Sequence, residues 1–243
     1  MCTVGYHKKL NLLFKNRDKN IATKEVLVDQ PGLLAVKTEG ANYYSLGTNS
    51  HGCSFVTTAV NSSSWILLAS KGKIQEATEL FQSENKDLVS PVILLSKYLP
   101  QVKCVDDWVE IIFGSEQQFM GYNLLLADKD QALHIEVYGK ESHISRVEDT
   151  VVISNHFEKI NYGPKRYEDY PNSFDRLSEA KKLVSKLGNL QDVFETLKPK
   201  NCFDEGPFWR KGNFFTVSSS VIDLETSSLY KSSNPNENYS CLI

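Results

Sequence analysis

The spacing of apolar residues divides the chain into blocks of strands and helices. In the first 60 residues, short runs of apolar and β-branched residues bounded by turn formers predict four strands. They cover residues 3–7, 10–14, 32–36 and 55–60. From about residue 73 the apolar positions recur three and four apart, which predicts helices over 74–81 and 105–112. Ser90 followed by Pro91 predicts the start of another helix, which runs towards Leu99.

The second half of the chain repeats this order. Predicted strands cover residues 119–127, 132–138, 143–147, 150–154, 213–224 and 228–231. Between them, one helix runs from Ser173 to a closing Gly188, and a shorter helix covers 190–197. Strands and helices in separate blocks favour an α+β fold over an alternating parallel sheet. Because no linker is visible, we expect a single domain over residues 2–243, with two sheets packed together and covered by helices.

Composition and charge exclude several classes of partner. Lys and Arg number 27 against 30 Asp and Glu, a net charge of −3, which argues against nucleic-acid binding. The longest apolar stretches are far too short to span a membrane. The N-terminus has no charged segment followed by an apolar run, so no secretion signal is predicted. We therefore expect a cytoplasmic protein without a nucleic-acid partner or a membrane span.

The residues that usually hold metals and cofactors lack the necessary spacing. The five cysteines include no CxxC pair, and the five histidines form no HExxH motif. The 13 glycines are scattered, and no glycine-rich phosphate loop is present. We expect free thiols, no metal and no cofactor.

Cys2 is the residue with the clearest chemical potential. Removal of Met1 before this small residue would leave a cysteine that carries both a thiol and a free α-amine. Their ordinary pKa values are about 8.5 for the thiol and about 7.7–8.0 for the amine, so the amine can take the thiol proton at neutral pH and later return it to a leaving group. By position alone, an ordinary strand or surface cysteine is the alternative.

The sequence around Cys2 resembles a known family. Cys2 opens a strand, and the next strand ends in Asn16-Arg17-Asp18. This pattern resembles the cysteine N-terminal-nucleophile hydrolases, which include choloylglycine hydrolases, penicillin V acylases, isopenicillin-N acyltransferases (peptidase C45-like) and the related NRDE group. Further matches follow in order at 47–61, 121–137, 151–157, 173–177 and 215–224. The resemblance implies a four-layer αββα sandwich of two antiparallel sheets.

The resemblance also implies a set of catalytic residues. Arg17 and Asp18 would flank the nucleophile, with the cation favouring the thiolate and the carboxylate orienting the amine. Asn61 and Asn155 would donate to the oxyanion, because a neutral amide stabilises developing negative charge without first pairing with the thiolate. Arg210 is the nearest candidate for a further arginine. Considered alone, Arg17 and Asp18 also fit a surface ion pair, and Asn61 a polar turn.

Two other residues near these motifs receive structural interpretations. Arg176 is expected to be an exposed or capping helical arginine, and His156 a structural histidine at a strand end. The aromatic stretch over 203–215 fits either an apolar acyl pocket or the core under the last strand.

The sequence therefore predicts a hydrolase that cleaves a linear amide bond of a small N-acyl substrate through a Cys2 thioester. Three alternatives remain open. An amine acceptor would make the protein an acyltransferase. A scaffold without catalysis would be an NRDE-like binding or trafficking protein. An incidental Cys2 would leave the function elsewhere. The resemblance allows for a homo-oligomer, and the chain is shorter than bile-salt hydrolases, so bile salts are not expected as its substrate.

Overall fold

The computed structural model describes residues 2–19, 23–198, 208, 215–233 and 238–242. Arg210 and most of the aromatic stretch over 203–215 lie outside these residues. The described residues form two antiparallel sheets and six α-helices.

The first sheet has six strands, and the strand that begins with Cys2 lies in its interior. In chain order the strands are β1 (Cys2–His7), β2 (Leu12–Lys19), β10 (Val151–Ile153), β11 (Phe215–Asp223), β12 (Ser228–Ser232) and β13 (Ser240–Leu242). Their spatial order is β10-β1-β2-β11-β12-β13. β1 is therefore paired on both sides, which fixes the backbone that follows Cys2.

The second sheet has seven strands that follow one another in both sequence and space. They are β3 (Glu25–Gln30), β4 (Leu33–Thr38), β5 (Leu46–Asn49), β6 (Ser54–Ala59), β7 (Phe119–Ala127), β8 (Ala132–Gly139) and β9 (Glu141–Arg146). All neighbours in this sheet pair antiparallel.

The described residues form six helices, of which the last four in chain order pack on the outer faces of the two sheets. The six are α1 (Ser63–Ser70), α2 (Ile74–Glu84), α3 (Pro91–Tyr98), α4 (Val105–Phe113), α5 (Pro171–Val184) and α6 (Leu190–Leu197). Leu95 of α3 and Trp108 of α4 join a core with Phe55 of the seven-stranded sheet. Ala180 and Val193, from α5 and α6, join a second core with β2 and β11.

A third core lies between the two sheets. Val4, Leu13 and Ile222 of the six-stranded sheet pack there with Leu34, Val56 and Leu125 of the seven-stranded sheet. The layers thus run helix, sheet, sheet, helix, as expected from two sheets that each bury both faces. The predicted four-layer α+β sandwich is confirmed.

The element boundaries differ from the sequence prediction mainly where polar residues are buried. β7 and α6 have the predicted bounds, whereas β2 begins at Leu12 and continues through charged residues to Lys19. The edge strand β3, the short strand β5, the helix α1 and the terminal strand β13 were not predicted. Helix α5 ends at Val184 and does not reach Gly188. No helix in the described part of the chain is long and apolar enough to cross a membrane.

Candidate active site

Cys2 lies at the edge of a cavity that opens between the sheets at the start of β1. The register of β1 and β2 places Cys2 directly opposite Arg17. The cavity has a volume of about 220 Å³ and is lined by both residues. Its other charged wall residues are Lys15, Asp18 and Lys19 of β2. Side chains two residues apart on a strand share a face, so Lys15, Arg17 and Lys19 follow one another along this wall.

Asn155 holds the backbone nitrogen of Cys2, the atom that becomes the α-amine if Met1 is removed. The Cys2 N–H donates to Oδ1 of Asn155 over 3.0 Å. The same oxygen accepts from Nη2 of Arg176 at 2.9 Å, and Nδ2 donates to the Ala59 carbonyl at 2.8 Å and to Thr58 Oγ1. Because a guanidinium only donates and a carbonyl only accepts, these partners fix the orientation of the amide.

This arrangement changes the role expected for Asn155. Both of its amide hydrogens already bind acceptors in the seven-stranded sheet, so neither is available to an oxyanion. The prediction that Asn155 donates to the oxyanion is therefore wrong for this arrangement. Its carbonyl oxygen instead accepts the hydrogen bond from the Cys2 nitrogen, while both Nδ2 hydrogens bind Thr58 and Ala59.

Arg176 is a member of the site and is not the exposed or capping arginine that the sequence predicted. The residue is 4% exposed. Its guanidinium donates to Oγ1 of Thr3 at 2.9 Å as well as to Asn155, and Nη1 lies 3.6 Å from Oδ2 of Asp18. Arg176 therefore ties α5 to β1, to β2 and to the residue that holds Cys2.

Asp18 and Arg17 each take part in a buried charge pair. Asp18 pairs with Arg176 and accepts a hydrogen bond from Thr216 Oγ1 at 2.7 Å. A shift in the β11 register between Thr216 and Ser218 lies beside this pair of residues. Arg17 forms an ion pair with Glu25 of β3, and this pair is buried. Its Nη2 also donates to Thr38 Oγ1 at 2.8 Å.

Among the neighbouring cations, Lys15 lowers the pKa of the Cys2 thiol the most. The side chain is 3% exposed, and Nζ donates to the Ser45 carbonyl at 2.9 Å. Burial alone raises the pKa of the Cys2 thiol, and the Asp18 carboxylate adds to this. Lys15 foremost, then the charged chain terminus and Arg17, outweigh both effects, so the pKa lies below its ordinary value. Burial in turn lowers the pKa of Lys15 to about 8, although the Cys2 charge opposes this.

The wall opposite β2 is aromatic and apolar. Tyr43, Trp65, Val92 and Tyr122 line it. Burial raises the pKa of the Tyr122 hydroxyl, so this group stays neutral at physiological pH. The cavity therefore combines a charged wall beside the thiol with a wall suited to an apolar group.

Asn61, His156 and Arg210 are not brought to Cys2 by any described contact. Asn61 is half-buried two residues after the end of β6 and does not line the cavity. His156 is buried, bonds to Ser173 Oγ through Nδ1 and stacks on Phe174 with ring centroids 4.0 Å apart. Burial lowers its pKa to about 4, so it is neutral at pH 7, in keeping with the structural role expected for it. Arg210 lies outside the described residues.

Sequence reasoning missed Lys15 and Arg176, although both left a signal. Lys15, Arg17 and Lys19 alternate along β2, which places three cations on one face of a strand. Arg176 lies three residues after Ser173 and four before Ala180, two positions on the buried face of α5. Among the residues that the structure describes, no group of three or more His, Cys, Asp or Glu side chains could hold a metal ion.

Comparisons with known proteins identify the fold. No protein-family model matches the sequence, and no curated protein matches it either. Among solved structures, a mutant of the conjugated bile acid hydrolase from Clostridium perfringens has a TM-score of 0.60 at 10% identity, over 100% of this chain and 92% of the other. Penicillin V acylase from Agrobacterium tumefaciens gives 0.57 at 15% identity, over 100% and 86%.

A third solved structure widens the set of similar chains. The ortholog of N-acylethanolamine-hydrolyzing acid amidase from Caenorhabditis elegans gives a TM-score of 0.56 at 12% identity, over 92% of this chain and 93% of the other. At identities of 10–15%, these similarities establish the architecture of the chain and do not identify its substrate. The chain has the αββα fold of the N-terminal-nucleophile hydrolases, as its resemblance to them implied.

Proposed function

We propose that this protein hydrolyses a linear amide bond of a small N-acyl substrate, with Cys2 as the nucleophile after removal of Met1. The observation that carries the proposal is the environment of Cys2. Asn155 accepts a hydrogen bond from the Cys2 nitrogen at 3.0 Å. The Cys2 thiol lines the cavity, and its pKa is lowered. Three of the similar structures are named as a bile acid hydrolase, a penicillin V acylase and an N-acylethanolamine-hydrolyzing acid amidase, which supports amide chemistry on this fold.

The first step forms the acyl-enzyme. The Cys2 sulfur attacks the amide carbonyl carbon as a thiolate, and the α-amine of Cys2 receives the thiol proton. Lys15 stabilises the thiolate, and Asn155 keeps the amine beside it. The tetrahedral intermediate collapses when the amine returns the proton to the leaving nitrogen. The C–N bond breaks, the free amine departs, and the acyl group remains on sulfur as a thioester.

The second step releases the acid. The α-amine takes a proton from water, whose oxygen attacks the thioester carbonyl. The C–S bond then breaks, the carboxylic acid leaves, and the Cys2 sulfur recovers the proton from the amine. Arg17 and Asp18 stay charged beside Cys2 in our proposal, because each is paired with an opposite charge. Arg17 pairs with Glu25, and Asp18 pairs with Arg176. Asn61, which lies two residues beyond Ala59 of the cavity wall, would have to turn towards the cavity to act as our proposed donor to the oxyanion of both intermediates. The reaction as proposed needs no metal and no cofactor.

The test compares the purified wild type with Cys2→Ala. Intact mass spectrometry should show a chain without Met1, because only a free α-amine supports the mechanism. A panel of N-acyl amides should contain substrates whose hydrolysis falls by at least about 10⁴-fold in Cys2→Ala, as it does when a covalent nucleophile is removed from other hydrolases. Cys241→Ala, which removes an exposed cysteine of β13, serves as the matched control and should keep full activity.

The outcomes separate the competing functions. A retained Met1, or hydrolysis that is unchanged in Cys2→Ala, would exclude Cys2 as the nucleophile. Brief incubation with substrate should add the mass of the acyl group to the N-terminal peptide. If added amines capture this acyl group faster than water does, the protein is an acyltransferase. If no amide acylates Cys2, the non-catalytic binding alternative is favoured.

A further inference from the structure

The ammonium group of Lys19 differs from the other charged groups of the cavity wall. Lys19 is the last residue of β2, is half-buried and lines the same cavity as Cys2. Its side chain has neither an ion pair nor a hydrogen bond with any residue for which the structure gives a position. A positive charge that is partly removed from water without a partner is unfavourable for folding.

The other charged wall residues each have an opposite charge within the protein. Arg17 pairs with Glu25, and Asp18 pairs with Arg176. Lys15 and the Cys2 thiol stabilise each other's charged forms. Once these pairs are formed, Lys19 is the cation of this wall that has no ionic partner among the described residues.

The effects of neighbouring charges on the pKa of Lys19 agree with its lack of an ionic partner. Burial lowers the pKa of its ammonium group, and the neighbouring Arg17 lowers it further, against smaller opposing effects of Cys2 and Glu25. Glu25 is already bonded to Arg17 and to Ser218 Oγ. An anion that entered the cavity would therefore find in Lys19 a cation whose charge is not yet compensated.

We propose that Lys19 binds an anionic group of the substrate, so that the preferred substrates are small N-acyl amides that carry a carboxylate close to the scissile bond. This inference rests on the proposed amide hydrolysis and names its substrate class. Lys19 follows Arg17 by two residues, and Arg17 lies opposite Cys2. Two residues of strand span about 7 Å, so the carboxylate lies within a few bonds of the amide.

The size and walls of the cavity define the remainder of the substrate. Ligand pockets usually measure about 300–1,000 Å³, whereas this cavity measures about 220 Å³. It therefore favours a short acyl group. Tyr43, Trp65 and Tyr122 on the opposite wall favour an aromatic or short aliphatic group over a charged one.

The test uses matched pairs of amides that differ only in charge. One pair is N-(3-phenylpropanoyl)glycine and the corresponding glycinamide, in which the carboxylate lies on the amine side. The other pair is N-benzylsuccinamic acid and N-benzylsuccinamide, in which it lies on the acyl side. In at least one pair, kcat/KM of the wild type should be about 10-fold to 100-fold higher for the anion, as expected for one charge-assisted hydrogen bond.

Variants of Lys19 assign that preference to one residue. Lys19→Gln should reduce this preference to less than about 2-fold, chiefly through a higher KM for the anionic member of the pair. Lys19→Arg should keep the preference, which shows that the position tolerates substitution. Lys24→Gln is the control for loss of a nearby positive charge, since Lys24 is exposed, pairs with Glu39 and does not line the cavity. It should behave as the wild type.

The results distinguish this inference from the proposed function. Equal kcat/KM for anionic and neutral substrates, or a preference that survives Lys19→Gln, would overturn the inference while amide hydrolysis stands. Calorimetric titration of Cys2→Ala with the same compounds provides a readout without catalysis. If the wild type cleaves none of them but Cys2→Ala binds the anion through Lys19, the anion site stands and the proposed hydrolysis fails. If Cys2→Ala and Cys2→Ala/Lys19→Gln bind the anions equally, the anion site fails.

Discussion

Cys2 and Cys53 have similar backbone environments but opposite chemistry. Each cysteine donates its backbone N–H to the side-chain oxygen of an asparagine, Asn155 for Cys2 and Asn49 for Cys53, at 3.0 Å in both cases. The Nδ2 group of each asparagine then donates to two acceptors elsewhere in the protein. An asparagine whose side chain is fully hydrogen-bonded and fixes the backbone of a cysteine is therefore not sufficient to make that cysteine a nucleophile.

The charges around the two thiols explain the difference. Burial raises the pKa of the Cys53 thiol to about 12, and the carboxylate of Asp128 adds to this effect. Around Cys2, Lys15 together with the charged chain terminus and Arg17 outweighs burial, so the pKa of the thiol is lowered. Cys53 also belongs to the apolar core with Phe55 and Trp108 and has no exposed surface. Charge placement and access to a cavity distinguish the candidate nucleophile from the structural cysteine.

The largest expected difference is the rate of alkylation of the two thiols. In native protein at pH 7, iodoacetamide should modify Cys2 at least about 10³-fold faster than Cys53, because the thiolate is the reactive form. Peptide mass spectrometry over a time course measures both rates in one sample. In denaturant the two rates should converge, since the local charges and the burial are lost. Comparable rates in the native protein would refute the contrast.

A second prediction breaks the charged network beside Cys2, in which Arg176 and Asp18 form an ion pair. Arg176→Met removes the donor to Asn155 and Thr3 and a cation from beside the buried Asp18 carboxylate. The free energy of unfolding should fall by about 3 kcal/mol, the usual effect of breaking a buried pair. Arg166→Met is the matched control because its ion pair with Asp169 is exposed at the arginine, and it should lose less than about 1 kcal/mol. Chemical denaturation measures both, and equal losses would contradict the structural role of Arg176.

The apolar pattern predicted the layers of the fold because most strands and helices bury apolar side chains. The same logic failed where polar side chains are buried. Residues 15–19 of β2 contain four charged side chains and resemble the end of a strand, yet β2 continues to Lys19 because these side chains line the cavity. The edge strand β3 was missed for the opposite reason, since half of its residues are exposed and its sequence shows little pattern.

The candidate site was only partly predictable. Position and motif identified Cys2, Arg17 and Asp18, whose neighbourhood follows from the pairing of two adjacent strands. The ion pair of Arg17 with Glu25 could not be predicted, because it joins strands of different sheets. The resemblance places Asn155 near Cys2. Its hydrogen bonds could not be predicted, because both Nδ2 hydrogens bind Thr58 and Ala59 in the other sheet.

The smallest expected effect tests the charge that separates Cys2 from Cys53 most directly. Lys15→Met should raise the pKa of the Cys2 thiol, because it removes the cation that most favours the thiolate, and should slow alkylation of Cys2 at pH 7 by about 10-fold. Since burial lowers the pKa of Lys15 to about 8, the effect should shrink above that pH as the wild-type ammonium loses its own proton.

Three controls make this prediction specific to charge at the cavity. Lys15→Arg keeps a cation and should preserve the rate of Cys2 alkylation at pH 7. Lys231→Met removes another buried lysine of the same sheet that does not line the cavity, so it should leave the rate unchanged. Cys53 should stay unreactive in every variant. If Lys15→Met alkylates as fast as the wild type, the lowered pKa of Cys2 must come from Arg17 or the chain terminus, and the contrast between the two cysteines would no longer depend on Lys15.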